Sequence, residues 1–144
     1  MPVSYDEALK MIQAAHERAR QMGIRVTTAV VDEGGLLQGL GRMTGAPPLS
    51  AQIAESKAVG AALWHRDGAS LAEVNQQRPA FFQAVAQLVR VPIIPGLGSA
   101  LIRRDAAILG AIMLIRRGER SAAKYPPVAA LSRDEEREAV RSAS

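Results

Sequence analysis

Cysteine is absent from this chain of 144 residues, which excludes disulfides, thiolate metal sites and a cysteine nucleophile. Histidine occurs twice and aromatic residues make up 3%, so no histidine cluster with metal-ligand spacing and no RNA-binding aromatic signature can be built. No apolar run approaches the roughly eighteen residues that a membrane span needs, and no charged-then-apolar leader opens the chain. The expectations are a cytoplasmic protein with no membrane partner and no bound metal. A P-loop, a Gly-x-Ser-x-Gly elbow and a His-Glu-x-x-His pair are missing too, so no standard catalytic signature is present.

What is there is a composition of 48% hydrophobic and 22% charged residues, that of a folded globular chain. The length fits one domain, taken as residues 1–144. Alanine is abundant where aromatics are scarce, so packing relies on small side chains and close backbone approach; a symmetric homo-oligomer is the expectation. The net charge of +4 comes mainly from arginine, concentrated at Arg103, Arg104, Arg116, Arg117 and Arg120. No helix-turn-helix or zinc-finger pattern accompanies that charge, and a solvated arginine-rich face is preferred over a nucleic-acid partner.

Ser4 and Glu7 form a capping-box pattern, and Gly23 stops the helix that they start. Leu9, Ile12, His16 and Ala19 recur on its inner stripe. The segments 24–31 and 36–43 then read as strands joined by Asp32-Glu33-Gly34-Gly35, with Gly39 and Gly41 marking a bulge or a close backbone approach. After Pro47-Pro48 a helix is predicted from about Leu49 to Trp64, with Ala51, Ala54, Ala58 and Ala61 as a small-residue ridge beside a row of Ile53, Lys57, Gly60 and Trp64. Short helices follow, one capped by Ser70 and Glu73 through Gln77 and one from Pro79 to Leu88. An edge strand is read at 89–94, and a second hairpin pairs 101–103 with 108–115. The order predicts an α+β fold with an antiparallel sheet of about five strands and helices packed on it. An exposed helix is predicted after Ser132.

Few residues carry chemistry. His16 reads either as a hydrogen-bonded core histidine or as a ligand, and Lys57 either as a lysine whose stem lies along the surface or as an anion-binding group. Gly96-Leu97-Gly98 lies between strands, which rules out a dinucleotide fingerprint but leaves a tight loop able to offer N–H groups to an anion. Arg42 ends the second strand, where it is either a solvated charge or one wall of a pocket.

The segments "TTAVVDEGGLLQGLGRMTGAP", "AQIAESKAVGAAL" and "LIRRDAAILGAI" together resemble the haem-degrading domain family of GlcG and HbpS-like proteins and PduO C-terminal domains, over about 4–112. The resemblance implies a profilin-like α+β fold, a homo-oligomer, and binding or processing of haem or another small molecule. The family's "ARMDGA" matches Gly41 to Ala46 with Thr44 in place of Asp, its helix lysine matches Lys57, and its "GGLPI" matches Gly98 to Ile102 with the second Gly and the Pro replaced. Residues 113–144 diverge: where the family has a "GVSGGT" stretch, this chain has Met113 to Arg120, with bulk and positive charge.

On that resemblance Arg42, Lys57, Gly96, Gly98 and Ser99 are the expected ligand-binding residues, the two cations suiting haem propionates or an organic acid. His16 and His65 are the nitrogen candidates for haem iron. The alternative is a cofactor-independent catabolic enzyme (isomerase, hydratase or hydrolase) acting on an unsaturated organic acid, with His16 or Glu55 carrying the proton.

Overall fold

The structure is a computed structural model that describes residues 2–116. Helix α1 (Tyr5–Gln21) starts where the capping box requires: Ser4 Oγ accepts from the Glu7 N–H at 3.2 Å, and Glu7 accepts from the Ser4 N–H at 2.8 Å. Asp6 and Glu7 in the first turn and Arg18 and Arg20 in the last complement the helix dipole. Strands β1 (Val26–Asp32) and β2 (Leu37–Arg42) form the first hairpin. Its turn is closed by Asp32 Oδ1, which accepts from the Gly34 and Leu36 N–H groups at 2.9 Å, with Gly35 alone of the Gly pair at positive φ, +76°. The ladder is irregular between Val30 and Val31, opposite Gly39, so the predicted bulge is present there.

Helix α2 (Ser50–Trp64) follows, then α3 (Gly68–Gln77) and α4 (Pro79–Ala86), and β3 (Ser99–Arg104) and β4 (Ala107–Arg116) form the second hairpin. The sheet is antiparallel with order β2-β1-β4-β3, so the two hairpins join through β1 and β4 at the centre. β1 is covered on both faces, so every residue from Val26 to Val31 is buried, Thr27 and Thr28 included. Ala29 and Val31 pack under α2 with Ala54, Ala58, Ala61 and Ala62, whereas Val30 packs with Ala8 and Ile12 of α1. The period-2 alternation of a strand thus sends successive residues to helices on opposite faces. The alanine ridge lets α2 lie close on the sheet, and Thr27 Oγ1 and Ser50 Oγ satisfy each other beneath it at 2.6 Å.

The expected count of about five strands is corrected to four among the described residues. The segment 89–94 joins no ladder among the described residues, since Pro92 and the nearby Pro95 each lack the N–H that a ladder uses. It runs instead along the outer side of α2: Ile93 packs where a Cβ on Gly60 would fall, 2.7 Å from Ile93 Cγ2. The N-cap of α3 is Asp67, three residues before the predicted Ser70, and Ser70 Oγ accepts from Arg66 instead. Leu71, Phe82 and Ile93 form a small satellite core there, with Trp64 stacked on Phe82. The predicted helix after Ser132 lies outside the described residues.

Candidate functional site

Lys57 lies about two turns into α2, on the row that segment 89–98 covers, and it is 8% exposed. Its ammonium donates to the Leu97 carbonyl at 3.2 Å. Among the described residues no carboxylate lies within ion-pair distance of it. An ammonium has three donors, so a single carbonyl leaves it under-satisfied. The loop approaches closely because Gly96 has no side chain: a Cβ there would sit 3.3 Å from Lys57 Nζ, and the residue is at φ +141°.

The same loop touches the start of α3. A Cβ on Gly68 would fall 2.1 Å from the Gly96 carbonyl oxygen and 2.6 Å from Ser99 Oγ. Ser99 is 6% exposed and its hydroxyl has no hydrogen-bond partner among the described residues. Asp67, the N-cap of α3, makes no side-chain cap bond; its Oδ1 accepts from the Leu101 N–H at 2.8 Å and so pins β3 to α3. Lys57, Gly96 and Ser99 are therefore brought to one place, with Gly98 (φ +105°) completing the loop.

Arg42 is not brought there. It is exposed, and its guanidinium donates to the Ala46 carbonyl at 2.7 Å, closing its own turn. It stands on edge strand β2, whereas the loop feeds β3 at the other edge; three strand spacings of about 4.8 Å separate the two.

His16 faces the other side of the sheet. It packs over Gly41, where a Cβ would lie 2.7 Å from His16 Cε1, so the close approach at this glycine is by a helix side chain and not by backbone. His16 Nε2 and Thr28 Oγ1, the latter directly across the ladder from Gly41, are both buried without a partner among the described residues. Burial holds the His16 imidazole below its ordinary value; the Gly41 backbone offsets part of this and the Arg20 charge adds to it. The unfolded chain then binds the proton more readily. Stability supplied by neutral His16 is fully present above the ordinary pKa of 6.5 and lost as pH falls through the window below it. The urea midpoint is expected to drop between about pH 7 and 5.5, the unfolded histidine titrating near 6.5, and to drop less in His16→Gln. Equal slopes in the two proteins would remove His16 as the cause.

Glu55 is half-buried on α2 and two positions from Lys57, which places it on a different side of the helix. His65 is exposed at the C-cap of α2 in the left-handed region, φ 52°, in the short connection to Gly68. Sequence reasoning missed Asp67 and Gly68. The signal available was Asp67-Gly68 itself, an N-cap residue followed by a residue that tolerates close approach.

The family described as "Haem degrading protein HbpS-like" matches residues 3–114. Protein GlcG of Escherichia coli K12 is 35% identical over 112 residues, 76% of this chain and 78% of that protein. A double mutant of Streptomyces reticuli HbpS aligns with a TM-score of 0.73 at 23% identity, covering 100% of this chain and 88% of the other. PduOC, solved in complex with heme, gives 0.69 at 24% identity, covering 80% and 83%.

Proposed function

From the premise that the chain belongs to the HbpS-like haem-degrading family, we propose that it is a small-ligand-binding protein whose ligand is haem or another anionic small molecule. The observation that carries this reading is the buried Lys57 ammonium, held by one loop carbonyl. Burying an ammonium is costly unless it is paired, and a ligand carboxylate reaching it would supply the missing pairing. Haem offers such carboxylates as propionates, and the heme bound by PduOC supports haem as the ligand class here. His16 and Glu55 both lie away from Lys57, so binding is preferred over proton transfer to a bound acid. The proposal extends to a profilin-like arrangement of the sheet and helices and to a homo-oligomer, for which the exposed Leu37 and Leu40 on edge strand β2 offer apolar contact area.

The geometry orders the two histidines. His65 stands at the end of α2 that leads into α3, on the same helix as Lys57, while the sheet separates His16 from Lys57. Haemin titrated into the protein should give a saturable Soret shift that His65→Ala changes and His16→Ala leaves in place. Lys57→Met should weaken haemin by about 1.5–3 kcal/mol, the worth of a hydrogen bond to a charged group. A shift that neither histidine variant alters, or none at all, removes haem from the proposal; undiminished affinity in Lys57→Met removes the site.

A further inference from the structure

Helix α3 has ten residues and begins without a side-chain cap, because the Asp67 carboxylate is engaged by Leu101. Its first backbone acceptor is used by Leu71, which donates to Asp67 O at 3.1 Å, so the N–H groups of Gly68, Ala69 and Ser70 are the orphan donors of the first turn. Such a turn carries partial positive charge and favours an anion. Two buried side chains converge on it independently. The Ser99 hydroxyl, without a partner, lies against Gly68, and the Lys57 ammonium lies against Gly96, whose carbonyl oxygen also touches Gly68. Both residues are more than nine-tenths buried.

We infer that the α3 N-terminus, Ser99 and Lys57 form a carboxylate subsite. It deepens the proposed function and rests on it, adding the N–H groups of α3 and fixing the charge of the group bound. Asp67 selects that charge. Its carboxylate, held at the mouth of the turn, repels a dianion more than a monoanion, and set against one ammonium and a helix terminus worth about half a charge it leaves too little positive charge to hold a second negative one. The ligand therefore presents a lone carboxylate to this turn, and the rest of it lies outward past Leu97, which is 59% exposed.

The test uses the full chain and benzoate as the probe, with benzamide as its uncharged counterpart and inorganic phosphate at pH 8 as a dianion. Backbone amide resonances are followed during each titration. Benzoate should shift the Gly68, Ala69 and Ser70 amides saturably, with benzamide and phosphate each at least about tenfold weaker, the factor that corresponds to about 1.4 kcal/mol. Ser99→Ala should weaken benzoate several-fold and leave the fold intact, since it removes a hydroxyl that bonds to nothing; Lys57→Met should weaken it further. Phosphate binding more tightly than benzoate overturns the monoanion assignment. Benzoate shifts confined to Arg103 and Arg104, or none, overturn the subsite. Haemin binding that benzoate does not displace leaves the broader reading standing without the subsite. Benzoate binding without haemin binding keeps the subsite and removes only haem.

Discussion

Replacing Leu71 by Ala is expected to destabilise the protein by about 2–5 kcal/mol, the range for a leucine removed from a packed interior. Leu71 is 1% exposed and forms the satellite core with Phe82 and Ile93, its Cδ1 lying 3.4 Å from the position of a Cβ on Gly60. That core holds α3 and α4 to the outer side of α2, and its other large members, Phe82, Ile93 and Trp64, are committed to packing against one another and against α2. The loss should be read as a fall in the urea midpoint at constant m-value, which identifies a stability change. Because α3 supplies the Gly68 turn against which the loop rests, benzoate should also bind more weakly to Leu71→Ala. A midpoint within about 0.5 kcal/mol of wild type, the scale of surface substitutions, would mean that α3 and α4 contribute little to cooperative folding.

Gly110→Ala is the second large expected effect. Gly110 sits in β4 between Asp32 of β1 and Ile102 of β3, and an added Cβ would fall 2.0 Å from the Val31 carbonyl oxygen and 3.1 Å from the Asp32 Cα. Both neighbours are backbone, so no side chain can rotate away. Relief requires the two central strands to part at this point. Overpacking costs about 1–3 kcal/mol where side chains can adjust, and the upper end or beyond is expected here. At several degrees per kcal/mol for a domain of this size, the melting temperature should fall by about 10 °C or more. An unchanged melting temperature would show that β4 shifts freely against β1.

Features set by neighbours in sequence were legible before the structure. The Ser4–Glu7 box, both hairpins and the α2 ridge depend on residues a few positions apart, and each lies close to where its pattern puts it. Features set by distant partners were not. Segment 89–94 has strand-like residues, but its place is decided by Gly60 on α2 and by two prolines, and it becomes a strap. The same distinction governs the candidate site. Lys57 is buried because a loop about forty residues away closes over it, and nothing in the sequence of α2 encodes that cover. Arg42 and Lys57 look like neighbours along the chain, yet the sheet order carries β2 and the β3 loop to opposite edges. Asp67 is of a residue type that caps helices, but the engagement of its carboxylate by Leu101 of β3 is set by the fold and could not be read from the sequence.

The pairing of β1 with β4 also governs how the protein can be made. Val26 pairs with Arg116, so the central ladder joins an early strand to the last described strand. At a synthesis rate of about 5–20 residues per second, the β1–β2 hairpin leaves the ribosome seconds before its central partner exists. During that interval β1, with four β-branched or alanine apolar residues and two threonines that the folded protein buries, presents an unpaired edge of the kind that recruits other chains. Local structure in α1 and α2 can cover its faces but cannot pair its backbone. Soluble yield should therefore depend on the rate at which the codons for residues 43–106 are translated, and slowing that stretch lengthens the time for which the half-built sheet remains open.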